Sequence, residues 1–230
     1  MSEFTFATVE NFDTHIVQSI RGYEDLVCDV VSMSRYFIEP NTSILDIGCS
    51  TGRLLQKIYH DTEKYIDTHE TVRFVGIDIE PKFIETARGT LSGDNIKIQK
   101  QRIQNFELPD SISFATSIFT LQFMPRDDRR SVIHDIYGHL NVGGAFIICE
   151  KVFSESVIVH DILSSTHHDF KRLSFSDKCI ADKGKSLRHM MKPNTREDLI
   201  EDLKSAGFTI HEVFWQQHEF IGVIAIKTNI

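Results

Sequence analysis

The chain predicts an α/β fold: a mostly parallel sheet with helices on both faces and an antiparallel hairpin at one edge. Three observations predict it. Short apolar runs alternate with amphipathic stretches along residues 43–151, the pattern of a parallel sheet with crossover helices. The first run, SILDI (43–47), ends in a cluster of small residues, GCSTG (48–52). The last two runs, TIHEVFWQQHEF and IGVIAIK, follow each other directly. A parallel crossover needs a dozen or more residues, so that pair must be antiparallel.

Residues 1–40 read as a helical segment, with Val27, Val30, Val31 and Ser34 on one helical face. Pro40, Asn41 and Thr42 break that pattern before the first strand. GRLLQKIY is helical, and the polar stretch HDTEKYIDTHETVR leads to a second buried strand, FVGID. PKFIETARGTL is a helix with Pro81 in its first turn, where a missing amide hydrogen is harmless. NIKIQK is the third strand, ISFATSIFTLQF contains the fourth, and AFIICEK is the fifth. Between the last two, RDDRRSVIHDIYGHL is an amphipathic helix stopped by NVGG. Residues 153–192 break the alternation and are rich in His, Lys, Ser and Asp; they predict a helical cap inserted over the ligand edge of the sheet. NTREDLIEDLKSAGF is a helix capped by Asn194 or Thr195 and ended by Gly207. The expectation is one domain over 1–230.

Composition bounds the function. With 230 residues, 41% hydrophobic and 25% charged, the chain has room for a sizeable core. A formal net charge of −8 gives no support to broad binding of nucleic acid or of an anionic membrane surface. No apolar run approaches the roughly 18–20 residues of a membrane span, and the start lacks the pattern of a secretory signal. Cys28, Cys49, Cys149 and Cys179 are far apart with no CxxC, which predicts reduced thiols, a cytoplasmic setting and no metal site.

In open parallel sheets, ligands bind beyond the carboxyl ends of the strands. A glycine turn there lets a ligand approach the backbone. The spacing here is D-x-G-x-S-x-G from Asp46 to Gly52, which is neither the dinucleotide fingerprint nor a Walker loop. A second acid, Asp78, ends FVGID and can accept hydrogen bonds from two ribose hydroxyls. Alone, Asp46 could make only an Asx turn, and Asp78 could only cap a helix. The two acids at matching strand ends, with the glycine loop between them, favour a nucleotide-type ligand. Their separation exceeds the usual about 20 residues; the polar stretch at 60–72 accounts for the surplus as a surface extension.

LDIGCSTG followed by FVGID resembles class I S-adenosylmethionine-dependent methyltransferases. The resemblance implies a Rossmann-like seven-stranded sheet with a C-terminal antiparallel hairpin. It implies that Gly48, Cys49, Ser50 and Gly52 form the loop around the methionine portion of S-adenosyl-L-methionine. Asp46 would order that loop and the cofactor's amino end, Asp78 would hold the ribose, and Ile79 would pack by the adenine.

A closer resemblance covers most of the chain. GYEDL, LDIGCSTG, the long string from FTLQF to CEKVF, HHDFKR, and SAGF followed by EVFWQQHEF are similar to carboxy-S-adenosylmethionine synthases. Those homodimeric enzymes serve a tRNA wobble-uridine pathway and move the carboxyl of prephenate onto the methyl carbon of S-adenosylmethionine. The resemblance places Tyr23 at the cofactor. The family's acid after the third strand is replaced here by Gln101 and Arg102, beside Ile103, and its asparagine before FTLQF by Ile118. The family arginine that holds the cofactor's extra carboxylate falls on Gly184, with Lys183, Lys185 and Arg188 close by. A lysine is a point charge and lacks the bidentate fork of arginine.

Methyl transfer asks mainly for positioning. His168 could act as a base if the acceptor must lose a proton, or be structural; for His167 the structural reading is preferred. Gln122 follows strand four and could face the transferred methyl, with Tyr23 nearby. Lys171, Arg172, Lys183 and Arg188 could bind an anionic substrate, or be solvated charges. Glu150 and Lys151 end strand five, where substrate approaches. The reading that follows is methyl transfer from S-adenosylmethionine to a small, anionic molecule by a homodimer that binds neither nucleic acid nor membrane. Divergent carboxy-S-adenosylmethionine synthesis and a non-catalytic cofactor-binding subunit are the alternatives.

Overall fold

The computed structural model describes residues 11–67 and 71–229. Residues 1–10 of the expected helical segment, and part of the 60–72 stretch, lie outside the described residues. Two helices open the chain, α1 (Phe12–Ser19) and α2 (Tyr23–Ser34), and α2 buries Leu26, Val27, Val30 and Ser34. The sheet is then laid down by β1 (Ser43–Ile47), β2 (Arg73–Asp78), β3 (Ile96–Lys100), β4 (Ile112–Ile118) and β5 (Leu140–Phe153). Helices α3 (Arg53–Tyr65), α4 (Pro81–Thr90) and α5 (Arg126–His139) connect them. Helices α6 (Val157–Arg172) and α7 (Asp177–Met190) form the cap. A two-residue β6 (Asn194–Thr195), α8 (Arg196–Ala206), β7 (Ile210–Gln217) and β8 (Phe220–Ile226) complete the chain.

The strand order is β3-β2-β1-β4-β5-β8-β7, with β6 paired to β5 off that path. The first five strands are parallel, and β8 is antiparallel to both β5 and β7. The seven-stranded mixed sheet expected from the sequence is therefore present, with β6 as an added short strand.

Alternation along the strands sorts residues onto two faces. Ile44, Phe74, Ile98 and Phe114 pack with Leu26, Val30, Leu55 and Ile58 on one face. Leu45, Ile47, Val75, Ile77 and Phe146 pack with Ile133, Ile136, Leu199 and Leu203 on the other. Asp46 and Asp78 share the phase of Ile44 and Phe74. Both acids thus point to the side covered by α2, α3 and α4.

Several boundaries differ from the sequence expectation. Helix α3 runs on through HDTEKY to Tyr65, so half of the polar stretch is helical. The NVGG segment belongs to β5, which starts at Leu140 and pairs with Ile112 before a register shift. Helix α8 is capped by Thr195, whose hydroxyl and Asp198 form a reciprocal capping box.

Candidate active site

The glycine loop is shaped by residues around it. Gly48 and Gly52 have φ of 74° and 80°, and Ser50 adopts 50°, a left-handed region in which glycine pays least. A Cβ on Gly48 would lie 2.0 Å from Thr120 Oγ1. The absent side chain is therefore required first by Thr120, in the turn after β4. Gly76 plays a similar part in β2: a Cβ there would meet Cys49 Sγ at 3.0 Å. That space lets the Cys49 side chain sink into the core and leaves its main chain on the cavity wall.

The two acids divide their work differently from the expectation. Asp46 is 2% exposed and accepts a hydrogen bond from Thr116 Oγ1 at 2.7 Å, across to β4. Among the described residues it makes no hydrogen bond to the loop. Asp78 does: its Oδ2 accepts from the Ser50 amide at 3.0 Å and its Oδ1 from the Glu80 amide at 2.8 Å. Burial pushes the Asp46 carboxyl up to about 7, and the Thr116 hydrogen bond opposes that only in part. Asp78 is also raised by burial, against the pull of its backbone donors.

These groups line one cavity of about 1040 Å³, large enough for a cofactor and a small substrate together. Its floor comprises Asp46, Gly48, Cys49, Ser50, Asp78 and Ile79. The Ser50 hydroxyl oxygen is buried on that wall with no hydrogen-bond partner, so the loop leaves a polar contact for a ligand to make. Tyr23, Arg102, Ile103, Ile118 and Gln122 stand on the same wall. Burial raises the Tyr23 hydroxyl well above the usual range, with Asp46 adding to it. The cap contributes His167, His168, Lys171, Lys183 and Arg188.

Two expected residues stand off the wall. Gly52 faces Ala87 and Leu91, where a Cβ would come within 3.0 Å, so it packs the loop against α4. Arg172 is exposed and bonded at 2.6 Å to both Asp169 and Asp177, which turns it away from substrate. Gln122 does reach the cavity, but its Oε1 accepts from the Lys151 amide at 2.7 Å and its carbonyl from the Lys192 amide at 2.6 Å. It anchors the end of the cap as well as lining the site.

Other residues enter that the sequence left unassigned. Asp13 accepts from Thr51 Oγ1 at 2.7 Å, and His15 contacts the Lys183 ammonium, which also donates to Ser19 Oγ at 3.2 Å. Helix α1 is thereby tied across the cavity from the glycine loop to α7. Burial, with Lys171 close by, brings Lys183 down to about 8 and, with Lys183, His15 down to about 4. Arg53, on the wall, pairs with Glu24 at 2.5 Å and joins α3 to α2. Lys151 lines the cavity, whereas its neighbour Glu150 turns inward to Arg129, 3.9 Å away. Burial pushes the Glu150 carboxyl up to about 8 despite that guanidinium.

Comparison with known proteins now bears on this geometry. Residues 44–144 match the family model of a methyltransferase domain. A carboxy-S-adenosyl-L-methionine synthase of Staphylococcus epidermidis is 34% identical over 96% of this chain and 94% of its own length. The chain belongs to the carboxy-S-adenosyl-L-methionine synthase family. A family member of the same name from Vibrio parahaemolyticus is 27% identical over 99% of this chain and 93% of its own. The fold recurs in the plantazolicin methyltransferase BpumL, with TM-score 0.65, 14% identity, and coverage of 95% of this chain and 88% of that one. It recurs also in a structure described as a possible exported protein of Bordetella parapertussis, with TM-score 0.66, 17% identity, and coverage of 90% and 68%.

The protein is thus an S-adenosylmethionine-dependent transferase, and its residues fit that cofactor. The orphaned Ser50 hydroxyl, the bare main chain from Gly48 to Ser50 and the Asp78 carboxylate offer polar contacts beside the apolar surface of Ile79 and Ile103. No helix among the described residues is long and apolar enough to cross a membrane. Among the described residues no group of His, Cys, Asp and Glu could hold a metal ion.

Proposed function

We propose that this enzyme moves a carboxyl group from a small carboxylate donor onto the methyl carbon of S-adenosylmethionine, where it takes the place of a methyl proton, giving carboxy-S-adenosylmethionine and the decarboxylated donor. Prephenate is the donor implied by the family resemblance. The observation that carries this reading is Lys183. It sits on the cavity wall directly beside Gly184, where the family arginine would stand, and is held there by His15 and Ser19. An ammonium in that position, with Lys171 behind it and Arg188 one turn on, supplies the positive charge a carboxylate needs.

The bound cofactor supplies an activated sulfonium carbon. The chain's part is to grip and to orient. Asp78, already fixed by two backbone amides, keeps lone pairs for the ribose diol. Asp46 favours the cationic amino end, and the Ser50 hydroxyl fills its empty valence on the methionine portion. Tyr23 and Ile118 bound the reacting end, and Ile79, Ile103 and Arg102 bound the base. Helix α1 and the cap cover the site and keep water from the transfer.

One observation favours a second reading, methyl transfer to a small anionic acceptor. Gly184 leaves no guanidinium fork at the family position, and a lysine does not reproduce bidentate recognition. His168, lowered by burial, then stands as the candidate base. Incubation with S-adenosylmethionine and prephenate, followed by mass spectrometry, tests the two. A carboxylated cofactor supports carboxyl transfer; S-adenosylhomocysteine with a methylated acid supports the second reading.

A homodimer in a reducing cytoplasm completes the proposal. Val157, Ile158 and Ile162 leave an apolar face of α6 exposed, and all four cysteines are free thiols. Light scattering that gives the mass of one chain would contradict the dimer.

A further inference from the structure

Helix α6 is built inside out. Among its residues only His167 and Lys171 are buried, at 6% and 7% exposure, while Val157 and Ile158 are each 74% exposed and Ile162 58%. A surface helix normally buries its apolar stripe. Burying an imidazole and an ammonium instead costs free energy unless something pairs with them. The two lie four residues apart, so they stack on one face, and both line the cavity. His167 Nδ1 has no hydrogen-bond partner. No hydrogen bond of the Lys171 ammonium is found among the described residues.

Lys151 closes the group from β5. Its ammonium lines the same cavity and is 3.1 Å from Glu219 Oε2, at the β7–β8 turn. Glu219 is also 3.7 Å from His160 Nε2. Glu219 thus pairs directly with Lys151 and acts on Lys171 only at longer range, and the Phe220 ring packs 5.2 Å from His167 to close the far side. A pocket with surplus positive charge, a dry aromatic wall and an unfilled imidazole nitrogen fits an acidic group with a neighbouring hydroxyl or carbonyl.

We propose that His167 and Lys171, with Lys151, form a subsite for an acidic group of the substrate, in which His167 serves as an uncharged hydrogen-bonding arm. The subsite rests on the proposed function only in taking the substrate as small and anionic. His167 faces Lys171 and His168 on its own helix, Lys151 on β5, and His218 beside Glu219 on the hairpin. Burial and these cations bring it down to about 3, so it stays neutral throughout the working range.

The test uses the full-length enzyme and the variants Lys171→Met, His167→Phe and His167→Gln. Lys171→Met and His167→Phe should raise KM for the acidic substrate by about tenfold or more, with the affinity for S-adenosylmethionine unchanged. His167→Gln keeps a neutral hydrogen-bonding group and should recover most of the KM loss of His167→Phe, with the wild-type pH profile between about pH 5.5 and 7.5. An unchanged KM in the first two variants, or an equal loss of cofactor affinity, overturns the subsite. So does a histidine limb in the profile that His167→Gln removes.

Calorimetry on cofactor-saturated protein reads the subsite whichever group is transferred. Prephenate or succinate should bind, succinamide should not, and Lys171→Met should abolish binding. Wild-type protein that ignores both acids, or a Lys171→Met variant that binds as wild type does, defeats the proposal. Acid binding lost in Lys171→Met, with no carboxy-S-adenosylmethionine formed by wild type, defeats the transfer reading alone and leaves the subsite standing.

Discussion

The Asp78 carboxylate accepts a hydrogen bond from the Ser50 amide at 3.0 Å, joining the end of β2 to the glycine loop after β1. The acid assigned to the ribose is also the acid that sets the shape of the loop. Asp78→Ala therefore removes two things at once. Cofactor affinity should fall by about 2–3 kcal/mol, the scale of a charge-assisted hydrogen bond plus a loosened loop. Calorimetry that returns a wild-type dissociation constant would remove Asp78 from the cofactor site.

Gly48 and Thr120 should behave as a coupled pair, because a Cβ on Gly48 would meet the Thr120 side chain at 2.0–2.7 Å. Gly48→Ala should destabilise the fold and weaken cofactor binding, and Thr120→Gly in the same chain should recover part of both. The backbone strain at φ 74° remains in the double variant, so recovery is incomplete. Strict additivity in thermal melts would show that Thr120 is not what requires the glycine.

Asp46 should make cofactor binding sensitive to pH. With its carboxyl near 7, the unliganded protein holds a proton there below about pH 7. A cationic ligand favours the ionised form, so binding at pH 6 should release a proton and affinity should rise with pH up to about 7, then level off. Calorimetry in buffers of different ionisation enthalpy measures that proton. Asp46→Asn should flatten the dependence; a proton count of zero for wild type at pH 6 would contradict the assignment.

Lys183 predicts the opposite limb. Its ammonium sits near 8 and loses its charge above that pH. KM for an anionic donor should rise on the alkaline side, and Lys183→Met should raise it by about tenfold below about pH 8, with variant and wild type converging above it. Lys183→Arg should restore charge at high pH, since a guanidinium does not titrate there. A flat alkaline KM in wild type would remove Lys183 from substrate recognition.

The sheet, its hairpin and the strand-end acids were legible because period-two alternation and the small-residue turn are local signals. Thr195, Pro81 and Gly207 declared their helix ends for the same reason. The roles of Asp46 and Asp78 within the loop were not legible, because Thr116 and the Ser50 amide reach them from other strands. Arg172 looked like a substrate cation beside Lys171, yet one residue of helical rotation sends it outward to Asp169 and Asp177. That His167 lines the cavity was not legible, because sequence cannot reveal that α6 turns its polar side inward and its valines outward. The strap formed by Asp13 and His15 depends on contacts far along the chain, and no local pattern marks them.

The most direct measurement is the mass of the small molecule that the protein carries through native purification. Carboxyl transfer predicts carboxy-S-adenosylmethionine, in a nearly stoichiometric amount and lost in Asp78→Ala. S-adenosylmethionine or S-adenosylhomocysteine alone, with no carboxylated form even after addition of prephenate, would contradict it.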